Sequence, residues 1–142
     1  MTNEYKACTL CARACDIDRT TLRGYCGMGD TPVIARAALH MWEEPIISGT
    51  RGSGAIFFSG CSLGCVYCQN AAISGGPVGQ SADAARIREI FEDLIARGAE
   101  NIDLVTPTHF LPTILPALEP KLPVPVIYNC GGYERVETLR QL

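Results

Sequence analysis

The stretch "AIFFSGCSLGCVYCQN", Ala55–Asn70, decides how this chain is read. Its first five residues, Ala55–Ser59, form a short apolar run after Gly52 and Gly54, the mark of a buried strand. Directly behind it stand Cys61, Cys65 and Cys68, spaced C-x3-C-x2-C. Thiolates favour soft metals: zinc, Cu(I) or iron–sulfur clusters. A four-iron cluster takes one cysteine per iron, so three cysteines leave one iron open. An open position on a metal signals chemistry. The other readings are a zinc site completed by a distant residue such as Cys130 or a histidine, and an inert buried set.

Downstream, strand and helix patterns alternate. Ile87, Ile90, Phe91, Leu94 and Ile95 recur at helical spacing, predicting an amphipathic helix over 82–97. Ser81 is its expected N-cap and Gly98 its C′ residue. "IDLV", Ile102–Val105, reads as a second strand, stopped by Pro107. A helix is expected over 109–118, with Pro112 in its first turn and Pro116 near its end. "VPVIYN", Val124–Asn129, reads as a third strand, and "ERVETLRQL" as the start of a third helix. Three strand–helix units imply an α/β fold with a parallel sheet. Ligands bind such sheets at the carboxyl ends of the strands. The loops there are "GCSLGCVYCQN", "TPTHF" and "NCGGYE", which should share one rim.

Upstream, Cys8, Cys11, Cys15 and Cys26 are spaced C-x2-C-x3-C-x10-C. Four thiolates in a short loop-rich segment suit a closed metal site, either zinc or a second iron–sulfur cluster, the other reading being four unligated thiols. Residues 1–53 thus read as a cysteine-rich N-terminal segment and connector, and 54–142 as the strand–helix part. His40 reads as a structural hydrogen-bonding residue. Glu43 and Glu44 are adjacent and point oppositely in an extended segment, so they make no acid–base pair. "GSG", Gly52–Gly54, is a turn without phosphate-loop spacing. Cys130 reads as a small buried residue.

Composition narrows the function classes. The chain has 142 residues, 47% of them hydrophobic, with net charge −3 and eight cysteines. No basic run marks a nucleic-acid binder. The sequence has no secretory leader and no long apolar run for the membrane, so a cytoplasmic protein is expected. In a reducing compartment clustered cysteines bind metal more often than they form disulfides.

The C-x3-C-x2-C loop, with Tyr67 before its last cysteine, between a strand and a helix, resembles the cluster loop of the radical S-adenosylmethionine superfamily. "CTLCARAC", "GYCG", "LHMWEEPIISGTRGSGAIFFSGCSLGCVYCQN", "NIDLVTPTHF" and "YNCGGYE" are together similar to one subgroup, the iron–sulfur proteins similar to pyruvate formate-lyase activating enzyme. The resemblance implies a 4Fe-4S cluster on Cys61, Cys65 and Cys68 whose open iron chelates S-adenosylmethionine. It implies an oxidoreductase that generates a 5′-deoxyadenosyl radical for hydrogen abstraction. Tyr67 would lie near the adenine, and Thr106, Thr108, His109 and Asn129 would contact the cofactor. No catalytic side chain is assigned. The implied partners are a protein substrate of the glycyl-radical type and a low-potential electron donor, with no nucleic acid and no membrane.

The chain also departs from the superfamily. "TPTH" stands where the superfamily has "GGE", and Cys130 where the subgroup more often has a small hydroxyl residue. Radical S-adenosylmethionine barrels hold more strand–helix units than the three read here. Residues 54–142 are therefore expected to be the N-terminal half of such a barrel, with its third strand left as an exposed edge. The alternatives are a non-catalytic metal-binding fragment and a zinc–thiolate protein.

Overall fold

The computed structural model describes residues 3–142. Strands β1 (Val33–His40), β2 (Ser53–Phe58), β3 (Gln80–Ser81), β4 (Ile102–Val105) and β5 (Val126–Asn129) form one sheet in the order β3-β1-β2-β4-β5. The helices are α1 (Pro45–Ser48), α2 (Ala71–Ser74), α3 (Ala84–Ala96), α4 (Leu111–Ala117) and α5 (Val136–Leu139). The fold is thus mixed α/β, and β2, β4 and β5 run parallel, as three strand–helix units require.

The sheet extends beyond the three parallel strands expected over 54–142. β1 pairs antiparallel with β2 and, on its other side, with the two-residue β3. Its sequence, "VIARAALH", carries helix formers rather than a strand pattern, and the strand exists because β2 offers it an edge. The register shifts between Ile34 and Arg36, as at a β-bulge. Without the shift these two residues would share a face. With it, Ile34 enters the core while Arg36 pairs with Phe57.

α3 begins where Asp83, not Ser81, accepts the Arg86 backbone N–H at 2.8 Å. Ser81 is taken by β3, paired with Val33. The helix stops at Arg97, and Gly98 follows with φ +98°, the left-handed position expected at C′. Ile87, Phe91 and Leu94 bury against Ile56, Ile102 and Leu104 of the sheet and against Phe110 and Ile114 around α4. The same core takes in Cys26, Met28, Val33 and Ile34, so one core crosses residue 53. The expected helix over 109–118 splits into a 3-10 turn, Thr108–Phe110, and α4, with Pro112 in the first turn and Pro116 in the last. Among the described residues no helix is long and apolar enough to cross a membrane.

Candidate metal centre and adjoining cavity

The backbone turns sharply after β2. Gly60 has φ +81°, and a Cβ there would press on the Met28 side chain and stand 2.5 Å from the Cys26 carbonyl oxygen. Only glycine lets the cysteine loop lie this close to the N-terminal segment. The Cys61 N–H donates to that same Cys26 carbonyl at 3.3 Å. Arg13 fastens the loop from the other side. Its Nε donates to the Ser62 carbonyl at 2.7 Å and its Nη2 to the Leu63 carbonyl at 3.0 Å, with the guanidinium 3.7 Å over the Tyr25 ring.

Within the loop, the Leu63 N–H donates to Cys61 Sγ at 3.4 Å, and the Cys68 N–H to the Cys65 carbonyl at 3.2 Å. Cys61, Cys65 and Cys68 are all free thiols, partly exposed. The Leu63 N–H aimed at Cys61 Sγ suits a cluster ligand, because it stabilises thiolate charge. Among the described residues no group of three or more His, Cys, Asp or Glu is drawn around one ion-sized centre. A 4Fe-4S cluster does not need such convergence, since each cysteine takes its own iron.

A cavity of about 450 Å³ opens beside this loop. Cys61, Ser62, Gln69 and Asn70 line it from the cysteine loop. Val105 and Thr106 line it from the end of β4, and Asn129, Cys130, Tyr133 and Glu134 from the segment after β5. All three rim loops therefore contribute. Sequence reasoning missed the remaining wall, where β1 and the turn after it place Arg36, His40 and Glu43. No signal in "VIARAALH" marks it, because its position depends on the pairing with β2. Glu43 faces the cavity, 3.7 Å from His40, while Glu44 is exposed. A larger cleft of about 670 Å³ between β1, β3 and α3 has no cysteine in its lining.

The predicted cofactor contacts separate. Thr106 and Asn129 line the cavity and are joined by a 2.8 Å bond from the Thr106 N–H to the Asn129 carbonyl. Thr106 has φ +58°, rare for a β-branched residue, and such strain is characteristic of functional sites. Thr108 is buried, with its hydroxyl 2.7 Å from that of Tyr128 and donating to Glu134 Oε1 at 3.2 Å. Burial pushes the Tyr128 phenol up to about 12. His109 is buried as well, its Nε2 donating to the Ser59 carbonyl at 2.8 Å. Burial lowers its pKa to about 4, so the ring is neutral. Neither Thr108 nor His109 lines the cavity. Tyr67 is 87% exposed and stands outside it. Cys130 is exposed on the rim, not buried as its type suggested.

Beneath the rim, Asp103 is fully buried on β4 and lies opposite Ala55 and Ile127. Asn129 Nδ2 donates to its Oδ2 at 3.5 Å, and its Oδ1 has no partner. Burial raises its carboxyl above the ordinary range.

The N-terminal cysteines gather in one segment. Cys8, Cys11 and Cys26 are buried and Cys15 is partly exposed, all with free thiols. The Cys8 N–H donates to the Ile17 carbonyl and the Asp16 N–H to the Cys8 carbonyl, both at 3.0 Å, which folds the segment back on itself. The Tyr25 N–H donates to Cys15 Sγ at 3.4 Å. Burial raises the Cys11 and Cys26 thiols, and the neighbouring cysteines add to the shift of each.

Residues 48–110 match the family described as a 4Fe-4S single cluster domain. The match spans β2, the cysteine loop, α3, β4 and the 3-10 turn. An uncharacterized protein of Methanocaldococcus jannaschii is 38% identical over 72 residues, which are 51% of this chain and 20% of the relative. No solved structure matches the chain. The family match supports an iron–sulfur protein with a 4Fe-4S cluster-binding domain, and the matched residues include Cys61, Cys65 and Cys68.

Proposed function

We propose that this chain is a radical S-adenosylmethionine protein of the kind that activates glycyl-radical enzymes, with β2, β4 and β5 the first strands of its barrel. The observation that carries this reading is the cavity beside Cys61, at the carboxyl ends of three parallel strands. A cluster held by three cysteines has a free iron, and here a cavity of about 450 Å³ adjoins the cysteine loop. Reduced cluster and bound S-adenosylmethionine supply the one-electron cleavage that begins hydrogen abstraction.

In this reading Cys61, Cys65 and Cys68 hold the cluster. Arg13 and the Cys26 carbonyl hold the loop in place. Thr106 and Asn129 orient the cofactor from the rim, while Thr108 and His109 fix that rim from behind. Glu43 and Glu134 place carboxylates in the cavity wall beside Arg36, and carboxylates suit a cofactor carrying an ammonium and a sulfonium. Cys8, Cys11, Cys15 and Cys26 hold a second metal, zinc or a cluster. The substrate is a protein glycine or another peptide or small molecule, and a low-potential donor reduces the cluster.

The test is anaerobic reconstitution of the chain with iron and sulfide, reduction with dithionite, and assay for 5′-deoxyadenosine. The reading predicts product from S-adenosylmethionine, lost in each of Cys61→Ala, Cys65→Ala and Cys68→Ala. A chain that keeps its cluster but cleaves no cofactor is a metal-binding module instead.

A further inference from the structure

Arg19 heads the fully buried side chains by size and is 2% exposed. Its Nε donates to the Met28 carbonyl at 3.2 Å, its Nη1 to the His109 carbonyl at 2.7 Å, and its Nη2 to the Gly29 carbonyl. The guanidinium also stands over the rings of Tyr5 and Phe110, 5.1 and 5.6 Å from their centroids. All of these partners are neutral. Among the described residues Arg19 makes no ion pair with a carboxylate. A guanidinium stays charged in any protein, and a buried charge without a counter-charge is strongly unfavourable.

One further partner can carry negative charge. Arg19 Nη1 donates to Cys8 Sγ at 3.5 Å. The other N-terminal sulfurs are close by. A Cβ built on Gly24 would stand 3.4 Å from Cys26 Sγ, 3.8 Å from Cys15 Sγ and 3.6 Å from Arg19 Cδ. Four thiolates on a divalent ion or a cluster leave a net negative centre, which favours a nearby cation. A buried arginine without a carboxylate and a set of four cysteines without an internal cation thus complete each other.

We propose that Arg19 is the internal counter-ion of an anionic metal–thiolate centre formed by Cys8, Cys11, Cys15 and Cys26. This rests on the reading that those four cysteines bind metal. Arg19 is a positioning residue that holds the ligand sulfur and neutralises the centre. The same guanidinium also holds the His109 carbonyl, so one residue joins the N-terminal cysteines to the turn after β4.

The experiment uses the full chain with Cys61, Cys65 and Cys68 changed to Ala, so that one thiolate site remains. Zn²⁺ affinity is measured against a chromophoric chelator, and Co²⁺ absorption reports thiolate coordination. Arg19→Met should weaken Zn²⁺ binding about 10- to 100-fold, while Arg19→Lys, which keeps the charge but loses the fork of hydrogen bonds, stays within about threefold. Absence of thiolate-coordinated Zn²⁺ or Co²⁺, together with absence of a cluster after anaerobic reconstitution with iron and sulfide, in the Arg19 parent overturns the metal reading and the proposal together. If the parent binds and Arg19→Met binds equally well, the counter-ion role fails and the metal site stands. Equal loss in the Lys and Met variants, folded or not, also overturns it, because charge is then not what matters.

Discussion

Arg13 Nε lies 2.7 Å from the Ser62 carbonyl oxygen, so the N-terminal cysteine segment grips the loop that carries Cys61, Cys65 and Cys68. A second bond to Leu63 and stacking on Tyr25 complete the grip. Charge-assisted hydrogen bonds are the stronger kind. Arg13→Ala should leave the fold intact but loosen the loop. The reconstituted cluster should then be lost to an iron chelator several-fold faster, roughly the effect of one to two such bonds. Absorbance decay of wild type and variant measured in parallel checks this.

His109 makes stability depend on pH. Its folded pKa is held down at about 4 by burial, against about 6.5 in the unfolded chain. Below the unfolded value the unfolded state binds the extra proton. The His109 contribution is therefore complete above about pH 6.5 and is lost as pH falls toward 4, on the order of 3 kcal/mol in all. Denaturant melts of His109→Gln should show a flatter pH dependence across that window. An unchanged slope contradicts the assignment.

The start of α3 gives a paired test. Asp83 accepts the Arg86 N–H, while Ser81 is engaged in β3. Asp83→Ala should destabilise by about 1 kcal/mol and Ser81→Ala by much less. Chemical denaturation of both variants distinguishes the two residues.

β5 is an edge of the sheet, bonded on one side to β4, and its first residue, Val126, is 40% exposed. Unpaired parallel edges recruit partners. The chain should therefore self-associate as its concentration rises, and Val126→Lys should reduce this. Sedimentation velocity over a concentration series reads it, and a monodisperse wild-type monomer throughout contradicts it.

The parts of the fold visible in the sequence are those whose signal is local. Ile102–Val105, apolar but for Asp103 and followed by Pro107, becomes β4 with those bounds. The spacing of Ile87, Phe91 and Leu94 announces α3 because one helix face must be buried. β1 is invisible for the opposite reason, since its strand state comes from pairing with β2 and overrides the propensity of "VIARAALH". The same holds for the site. Cysteine spacing marks both cysteine clusters, and the strand order puts Thr106 and Asn129 on one rim. Nothing local shows that Thr108 and His109 turn inward, or that Arg19 is buried against Cys8. Those facts depend on packing between segments far apart in the chain.

The most direct test of the central claim is electron paramagnetic resonance of the reconstituted, reduced chain with and without S-adenosylmethionine. An open iron that chelates the cofactor predicts a 4Fe-4S signal that changes on its addition, with the response abolished by Cys61→Ala, Cys65→Ala or Cys68→Ala. A cluster signal identical in both samples, or a chain that takes up zinc alone, contradicts it.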